Sequence, residues 1–161
     1  MKVTRRQGLQ LMGATALAAS PIKALADAHG GNVVEMLNKE PDGKERQVFH
    51  PPVLQIAEGE SVLFMPTNKG HNSEANEEML PEGAEMWEGK INKEIEVTFD
   101  VPGVYGYHCK PHRSAGMVGL ILVGDVTQEQ LDALKEVKQR GKAKSRYETY
   151  FAMAEEMIAS S

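Results

Sequence analysis

Residues 105–117 read YGYHCKPHRSAGM, and the interpretation of the whole chain starts from this stretch. It contains a Cys-x2-His-x4-Met spacing formed by Cys109, His112 and Met117. Cys109 is the only cysteine among 161 residues, so an internal disulfide is impossible. A single cysteine is a core residue, a reactive thiol or a metal ligand.

The segment between Cys109 and Met117 must be a tight loop if these side chains are to converge. Pro111 stiffens the loop, and Gly116 permits a sharp turn. A further histidine, His71, lies 38 residues before Cys109, beside a turn that follows a different strand. A ligand from that position would tie the loop to a rigid sheet.

A thiolate, two imidazoles and a thioether form the ligand set of a blue-copper electron-transfer site. Thiolate suits Cu(I), and imidazole suits both Cu(I) and Cu(II). A weak axial thioether leaves a coordination geometry that is intermediate between those that Cu(I) and Cu(II) prefer. Each residue alone has an ordinary alternative, because buried cysteines and methionines commonly pack as hydrophobic residues. The combined spacing instead predicts one type 1 copper ion, Cu(I)/Cu(II), bound by His71, Cys109, His112 and Met117.

Residues 32–124 are predicted to form short strands separated by turns. The predicted strands are rich in β-branched and aromatic residues, and turn pairs such as Pro102 and Gly103 separate them. Many short strands within about 95 residues predict an all-β antiparallel sandwich. The predicted strands are residues 53–56, 62–65, 95–99, 104–107 and 118–123.

Two amphipathic helices are predicted after Asp125. Thr127 is a candidate N-cap, and Gln130 completes a capping box. This first helix is predicted to end near Gly141. A second stripe at helical spacing predicts a helix that packs against the sandwich, in preference to a partner-binding face. The stripe consists of Tyr147, Tyr150, Phe151, Ala154 and Met157 or Ile158. The predicted units are a β domain at 27–125 and a helical extension at 126–161.

Residues 1–26 have the features of a twin-arginine signal peptide. Arg5 and Arg6 form a basic start, a mildly apolar stretch follows, and residues 24–26 fit an A-x-A cleavage site. The apolar stretch is well short of the ~20 residues that span a bilayer, so a membrane anchor is disfavoured. Export to the periplasm is expected.

Cleavage after residue 26 would leave Asp27, Ala28 and His29 at a new N-terminus. A histidine at the third position can bind Cu(II) in a square plane, together with the terminal amine and two backbone amides. The sequence therefore also predicts a second, weakly coloured Cu(II) site there. The alternative is that His29 is simply part of an irregular leader.

The charge distribution excludes some classes of partner. The chain has a formal net charge of −5, and residues 27–125 carry 17 acidic and 8 basic side chains. Such an acidic body argues against nucleic-acid binding. The basic run at residues 135–146 is interpreted as a solvated helix face and turn. No other stretch approaches the length of a membrane span.

Several motifs resemble the cupredoxins, and within them the pseudoazurins. The most similar stretches are FMPTNKGHN at 64–72, PEGAE at 81–85, PGVYG at 102–106 and GMVG at 116–119. The resemblance covers residues 32–161 and implies an eight-stranded Greek-key cupredoxin sandwich with two C-terminal α-helices. It also implies that the Asn72 backbone N–H donates a hydrogen bond to the Cys109 sulfur, so that Asn72 and Pro111 support the ligands.

The same resemblance implies a periplasmic one-electron carrier. Its partner would be a denitrification reductase, either copper nitrite reductase or nitrous oxide reductase. Because His112 lies in the loop whereas His71 enters from a strand end, transient docking is expected near His112. The protein is expected to be a monomer and not an enzyme, since no acid/base pair accompanies the loop. The alternative function is copper storage or delivery, but only Met117 among the scattered methionines has a metal-ligand spacing.

The chain departs from the pseudoazurin pattern in the residues that meet partners. His108 and Glu88 stand where lysines of a basic ring are common. A small basic rim remains, formed by Lys39, Lys69, Lys110 and Arg113.

Overall fold

Eight short strands form the body of the protein. The structure, a computed structural model, describes residues 31–160. The signal peptide predicted at 1–26 and the Cu(II) site predicted at 27–29 lie outside this range. The strands are β1 (Val33–Lys39), β2 (Arg46–His50), β3 (Val53–Ile56), β4 (Ser61–Met65), β5 (Glu74–Ala75), β6 (Ile95–Thr98), β7 (Gly103–His108) and β8 (Val118–Val123).

The strands pair into two four-stranded sheets, with orders β2-β1-β4-β6 and β3-β8-β7-β5. The predicted all-antiparallel pairing is wrong in two places, because β1 pairs with β4 and β3 pairs with β8 in parallel. The chain changes sheets between β2 and β3 and again between β3 and β4. It therefore re-enters the first sheet in the direction of β1, which a simple hairpin cannot achieve.

The eight-stranded sandwich with C-terminal helices is confirmed, although three of its strands were not predicted from the sequence pattern. β2 buries only Val48 and Phe49, and β5 has only two residues. Such short segments carry too little alternation for a periodicity argument. β1 was missed despite a longer run, in which Glu35 interrupts the apolar residues.

Aromatic side chains fill the space between the sheets. Tyr107 makes edge contacts with Phe49 and Phe64, at ring-centroid distances of 4.7 and 5.1 Å. Every residue of β7 and β8 is buried, because the helices cover the face of these strands that is turned away from the first sheet. The two strands that flank the Cys109–Met117 loop are therefore the most deeply enclosed parts of the sandwich.

Two helices follow the sandwich, α1 (Gln128–Lys135) and α2 (Gly141–Ala159). The predicted capping box is confirmed, with Gln130 N–H donating to the Thr127 hydroxyl at 3.3 Å and Thr127 N–H donating to Gln130 Oε1 at 3.0 Å. The first helix ends at Lys135 and not near Gly141. Gly141 has φ +58°, a conformation that suits glycine, and it begins the next helix.

α2 packs its apolar stripe against the sandwich, as predicted. Tyr147, Tyr150, Phe151 and Ala154 are buried in one cluster with side chains of β8. The interpretation of the basic run as a solvated face is wrong for Arg146, which is only 5% exposed. None of the helices described for residues 31–160 is both long enough and apolar enough to span a bilayer.

Candidate metal centre

The loop between β7 and β8 is closed by backbone hydrogen bonds. Cys109 N–H donates to Met117 O at 2.9 Å, and Met117 N–H donates to His112 O at 3.0 Å. Pro111 lies within a single 3₁₀ turn, residues 110–112, and Gly116 has φ +87°. The loop is therefore as tight as its sequence predicts, and its first and last residues are held side by side.

His71 reaches this loop from the turn after β4. Its Nδ1 lies 3.1 Å from His112 Nδ1 and 3.8 Å from Cys109 Sγ. His112 Nδ1 lies 3.5 Å from the same sulfur. Within residues 31–160 this trio is the group of histidine, cysteine or acidic side chains whose ligand atoms converge closely enough to hold a metal ion.

These three atoms fit a metal ion in size as well as in chemistry. The centre of their triangle is about 2 Å from each atom, close to the ~2.0–2.3 Å bonds that imidazole nitrogen and thiolate form with a comparable divalent ion. One soft sulfur and two imidazole nitrogens, without a carboxylate, select a soft or borderline transition metal. The arrangement is buried, since His71 and Cys109 have no exposed surface.

Asn38 sets the tautomer of His71. The Asn38 side-chain oxygen lies 2.9 Å from His71 Nε2. An amide oxygen only accepts hydrogen bonds, so Nε2 carries the proton and Nδ1 presents its lone pair to the centre. Asn38 was not among the residues predicted to belong to the site. Its contact joins positions 33 residues apart, and no spacing rule reveals it.

Asn72 joins three segments around the cysteine. Its side-chain oxygen accepts from Lys110 N–H at 2.8 Å, and its amide nitrogen donates to Gly89 O at 2.9 Å. Its backbone N–H acts to lower the pKa of the Cys109 thiol, against the effect of burial. Asn72 therefore holds the start of the loop against the turn that carries His71.

Burial controls the protonation of the candidate ligands. It raises the pKa of the Cys109 thiol, and the hydrogen bonds from Asn72 and His112 N–H groups act in the opposite direction. Burial, followed by the charge of His112, lowers the pKa of His71 to about 4. His71 is therefore neutral and able to bind a metal at neutral pH, whereas the thiol needs the metal to lose its proton.

The side chains of Met117 and His108 have different surroundings. Met117 is fully buried in the same core cluster as Cys109. His108 points elsewhere, with its Nε2 3.0 Å from Glu74 Oε1. Burial and the charge of Arg113 lower the pKa of His108, and the Glu74 carboxylate opposes this shift.

The model of copper-binding proteins of the plastocyanin/azurin family matches residues 34–124. The chain belongs to this family. Within the plastocyanin/azurin family, the pseudoazurin of Paracoccus pantotrophus is 43% identical over 140 residues, which cover 84% of this chain and 94% of the relative. The pseudoazurin of Methylorubrum extorquens is 38% identical over 142 residues, or 88% and 94% of the two chains.

A solved structure supports the same grouping within the plastocyanin/azurin family. The pseudoazurin of Sinorhizobium meliloti superposes with a TM-score of 0.73 at 47% identity, covering 77% of this chain and 95% of that one. The resemblance to pseudoazurins inferred from the motifs is confirmed. Copper is the metal of this family, and the cluster of His71, Cys109 and His112 could bind a type 1 copper ion.

Proposed function

We propose that this protein is a periplasmic one-electron carrier with one type 1 copper held by His71, Cys109, His112 and Met117. The observation that carries the proposal is the triangle formed by two imidazole Nδ1 atoms and the cysteine sulfur. Copper bound there would supply a Cu(I)/Cu(II) couple.

The surrounding residues favour electron transfer because they hold the ligand atoms in place. Asn38 orients His71, and Asn72 anchors the segment next to Cys109. The backbone of Met117 is bonded through both its N–H and its C=O. Ligands that are held on rigid elements move little when the charge of the bound ion changes, which favours fast exchange of an electron.

His112 is the proposed route by which the electron leaves. It is partly exposed, whereas His71 is wholly buried. Gly70 lies beside one edge of the His112 ring, where an added Cβ would come into ordinary van der Waals contact with Cε1 at 3.9 Å. A weak encounter over a small interface around this edge would be sufficient for electron transfer.

The proposed partner is a denitrification reductase, either copper nitrite reductase or nitrous oxide reductase. The likeness to pseudoazurins motivates this proposal. The basic rim that would meet an acidic partner is weakened here, because Lys110 Nζ lies 2.8 Å from Glu88 and 3.8 Å from Glu74. Docking is therefore proposed to depend on the exposed edge of His112 more than on charge.

The location and the processing of the chain are part of the same proposal. Residues 1–26 would act as a twin-arginine signal, leaving a cupredoxin domain at 27–125 and a helical extension at 126–161. Processed protein beginning at Asp27 would bind a second Cu(II) through residues 27–29. Titration of processed protein with Cu(II) tests this, and one copper per chain with or without His29→Ala would refute it.

Loading the protein with Cu(II) and recording its visible spectrum tests the main proposal. We expect one strongly absorbing copper per chain, which ascorbate bleaches and ferricyanide restores, and which transfers electrons to either reductase. Cys109→Ala should abolish the band, while Met153→Leu on α2 should leave it unchanged. Tight binding of several colourless Cu(I) ions without reversible bleaching would instead indicate storage or delivery.

A further inference from the structure

The buried Arg146 side chain connects α2 to the candidate copper loop. It is 5% exposed, and its guanidinium donates to the Gly116 carbonyl at 2.7 Å. The same group donates to the Gln47 carbonyl at 2.6 Å, to the Arg46 carbonyl at 2.6 Å and to a Glu45 carboxylate oxygen at 2.7 Å. A planar donor fork of this kind suits several fixed acceptors at once.

The contact with Gly116 falls on the peptide group that joins Gly116 to Met117. The carbonyl of this peptide accepts from Arg146, and its N–H donates to His112 O at 3.0 Å. Gly116 has no side chain to restrict its backbone and adopts φ +87°. The orientation of the peptide before Met117 is therefore fixed by the arginine from outside the loop and by His112 from within it.

The other carbonyls that accept from the guanidinium belong to a strained backbone segment. Gln47 has φ +53° although it is not glycine, and such a strained conformation persists only where its surroundings hold it. In this conformation the consecutive carbonyls of Arg46 and Gln47 both meet Arg146. The start of β2 thus forms a fixed platform against which the arginine holds the loop.

We propose that Arg146 is a positioning residue that sets the placement of the Met117 thioether relative to the Cys109 and histidine ligands. This inference rests on the proposed copper ligation by Met117. The axial ligand tunes the reduction potential and the spectrum of a type 1 site. A shift of the Gly116–Met117 peptide would consequently change both properties without removing any ligand.

The test compares Arg146→Lys with two matched controls. Lysine keeps the buried charge but cannot donate hydrogen bonds to all three carbonyls at once. Lys142→Met removes the other cation that contacts Glu45 and leaves the Gly116 carbonyl bonded. Glu45→Gln removes the carboxylate and retains the three carbonyl contacts. The measurements are the relative intensities of the visible bands and the reduction potential of the copper form, together with the thermal stability.

We expect Arg146→Lys to change the band ratio and the potential beyond the spread of the two controls. Lower thermal stability with an unaltered spectrum and potential would reduce Arg146 to a structural residue and overturn the inference. If wild-type protein binds no strongly absorbing copper, the proposed function itself fails, which is a distinct outcome.

A measurement on the unsubstituted protein covers the case in which Arg146→Lys does not fold. In copper-free protein the Met117 amide should exchange with deuterium as slowly as the amides in the middle of β8, because both ends of its peptide are held. Exchange more than tenfold faster than those amides would show that the peptide is not clamped and would overturn the inference.

Discussion

At the scale of single residues, the hydrogen-bond partner of each buried polar group decides what that group contributes to metal binding or to stability. His71 is useful as a metal ligand because Asn38 occupies its other ring nitrogen. Tyr105 and Tyr107 lie on the same strand, but only the Tyr105 hydroxyl has an acceptor, the Val101 carbonyl at 2.6 Å. The Tyr107 hydroxyl is buried without a hydrogen-bond partner.

Replacing Asn38 with alanine should weaken copper binding. His71 would lose the acceptor that fixes its tautomer, and loss of such a supporting contact typically lowers metal affinity about 10–100-fold. Competition with a chelator of known affinity measures the change. Asn32→Ala, which removes an amide that contacts Glu60, is the control, and equal affinities for the two variants would contradict the assignment.

The two tyrosines should respond differently to replacement by phenylalanine. Tyr105→Phe removes a hydrogen bond and should lower the free energy of unfolding by about 1 kcal/mol. Tyr107→Phe removes a buried hydroxyl that has no partner and should leave the stability unchanged or raise it. Urea unfolding of the copper-free variants measures both values. A clear loss of stability in Tyr107→Phe would mean that its hydroxyl is satisfied in solution.

At the scale of elements, α2 does more than cover the second sheet. Its Tyr147 hydroxyl donates to the Tyr107 carbonyl in β7 at 3.0 Å, and Arg146 bonds the loop that follows β7. The same helix reaches the start of β2 through Glu45, which contacts Lys142 and Arg146. α2 therefore links both sheets to the metal-binding loop.

The Glu45 contacts should make part of the stability depend on pH. Hydrogen bonds from Lys142 and then Arg146 lower the pKa of Glu45 to about 2. Because the folded state lowers this pKa, the stabilisation is complete above the ordinary carboxyl value near 4.5 and is lost as the pH falls towards 2. The carboxylate is half-exposed, so solvent screening limits its contribution to about 1 kcal/mol or less.

Comparison with Glu45→Gln measures this contribution. The difference in free energy of unfolding between copper-free wild type and the variant should be constant from pH 7 to 5 and should shrink between pH 4.5 and 2.5. The control is Glu94→Gln, which removes one carboxylate from an exposed residue just before β6. A difference that grows on acidification would have the wrong sign for this ion pair.

At the scale of the whole molecule, the charge distribution controls encounters with partners. Residues 27–125 hold 17 acidic and 8 basic residues, and the Lys110 charge next to His112 is neutralised by Glu88. Long-range attraction of an acidic partner is therefore weak. Docking should depend on contacts near His112 at short range.

A charge placed beside His112 should slow electron transfer without disturbing the copper. Ala115→Asp adds a carboxylate to the partly exposed loop, so desolvation on docking becomes more costly. Transfer to the proposed reductase partner should slow, while the visible spectrum remains nearly unchanged. Ala133→Asp on α1 is the control. An unchanged transfer rate in Ala115→Asp would show that the docking surface does not lie near His112.

The rate of transfer should also depend only weakly on salt. Steering by exposed charges is screened over a Debye length of about 10 Å at 0.1 M salt. Here Lys110 of the basic rim is paired with Glu88 and Glu74, and acids outnumber basic residues in the body, so we expect little attractive steering for salt to remove. Stopped-flow rates measured over a range of salt concentrations would contradict this expectation if they fell steeply.

The sequence by itself determined the features that depend on neighbouring residues. Cys109, His112 and Met117 lie within nine positions, so their spacing predicts a tight loop between two strands. The capping box at Thr127 and the apolar stripe of α2 are likewise local patterns, and the structure confirms both. The family resemblance added the number of strands, which periodicity alone underestimated because β2 and β5 are short and only partly apolar.

Only the tertiary structure decided which distant groups meet. The parallel pairing of β1 with β4 arises because the chain crosses between sheets, and no local pattern records that crossing. Asn38 reaches His71 across 33 residues, and Arg146 reaches Gln47 across 99 and Gly116 across 30. In the sequence Arg146 belongs to a basic run typical of a solvated helix. Its burial is possible because the folded chain presents three carbonyls and the Glu45 carboxylate at that point, which pair the charged group with acceptors.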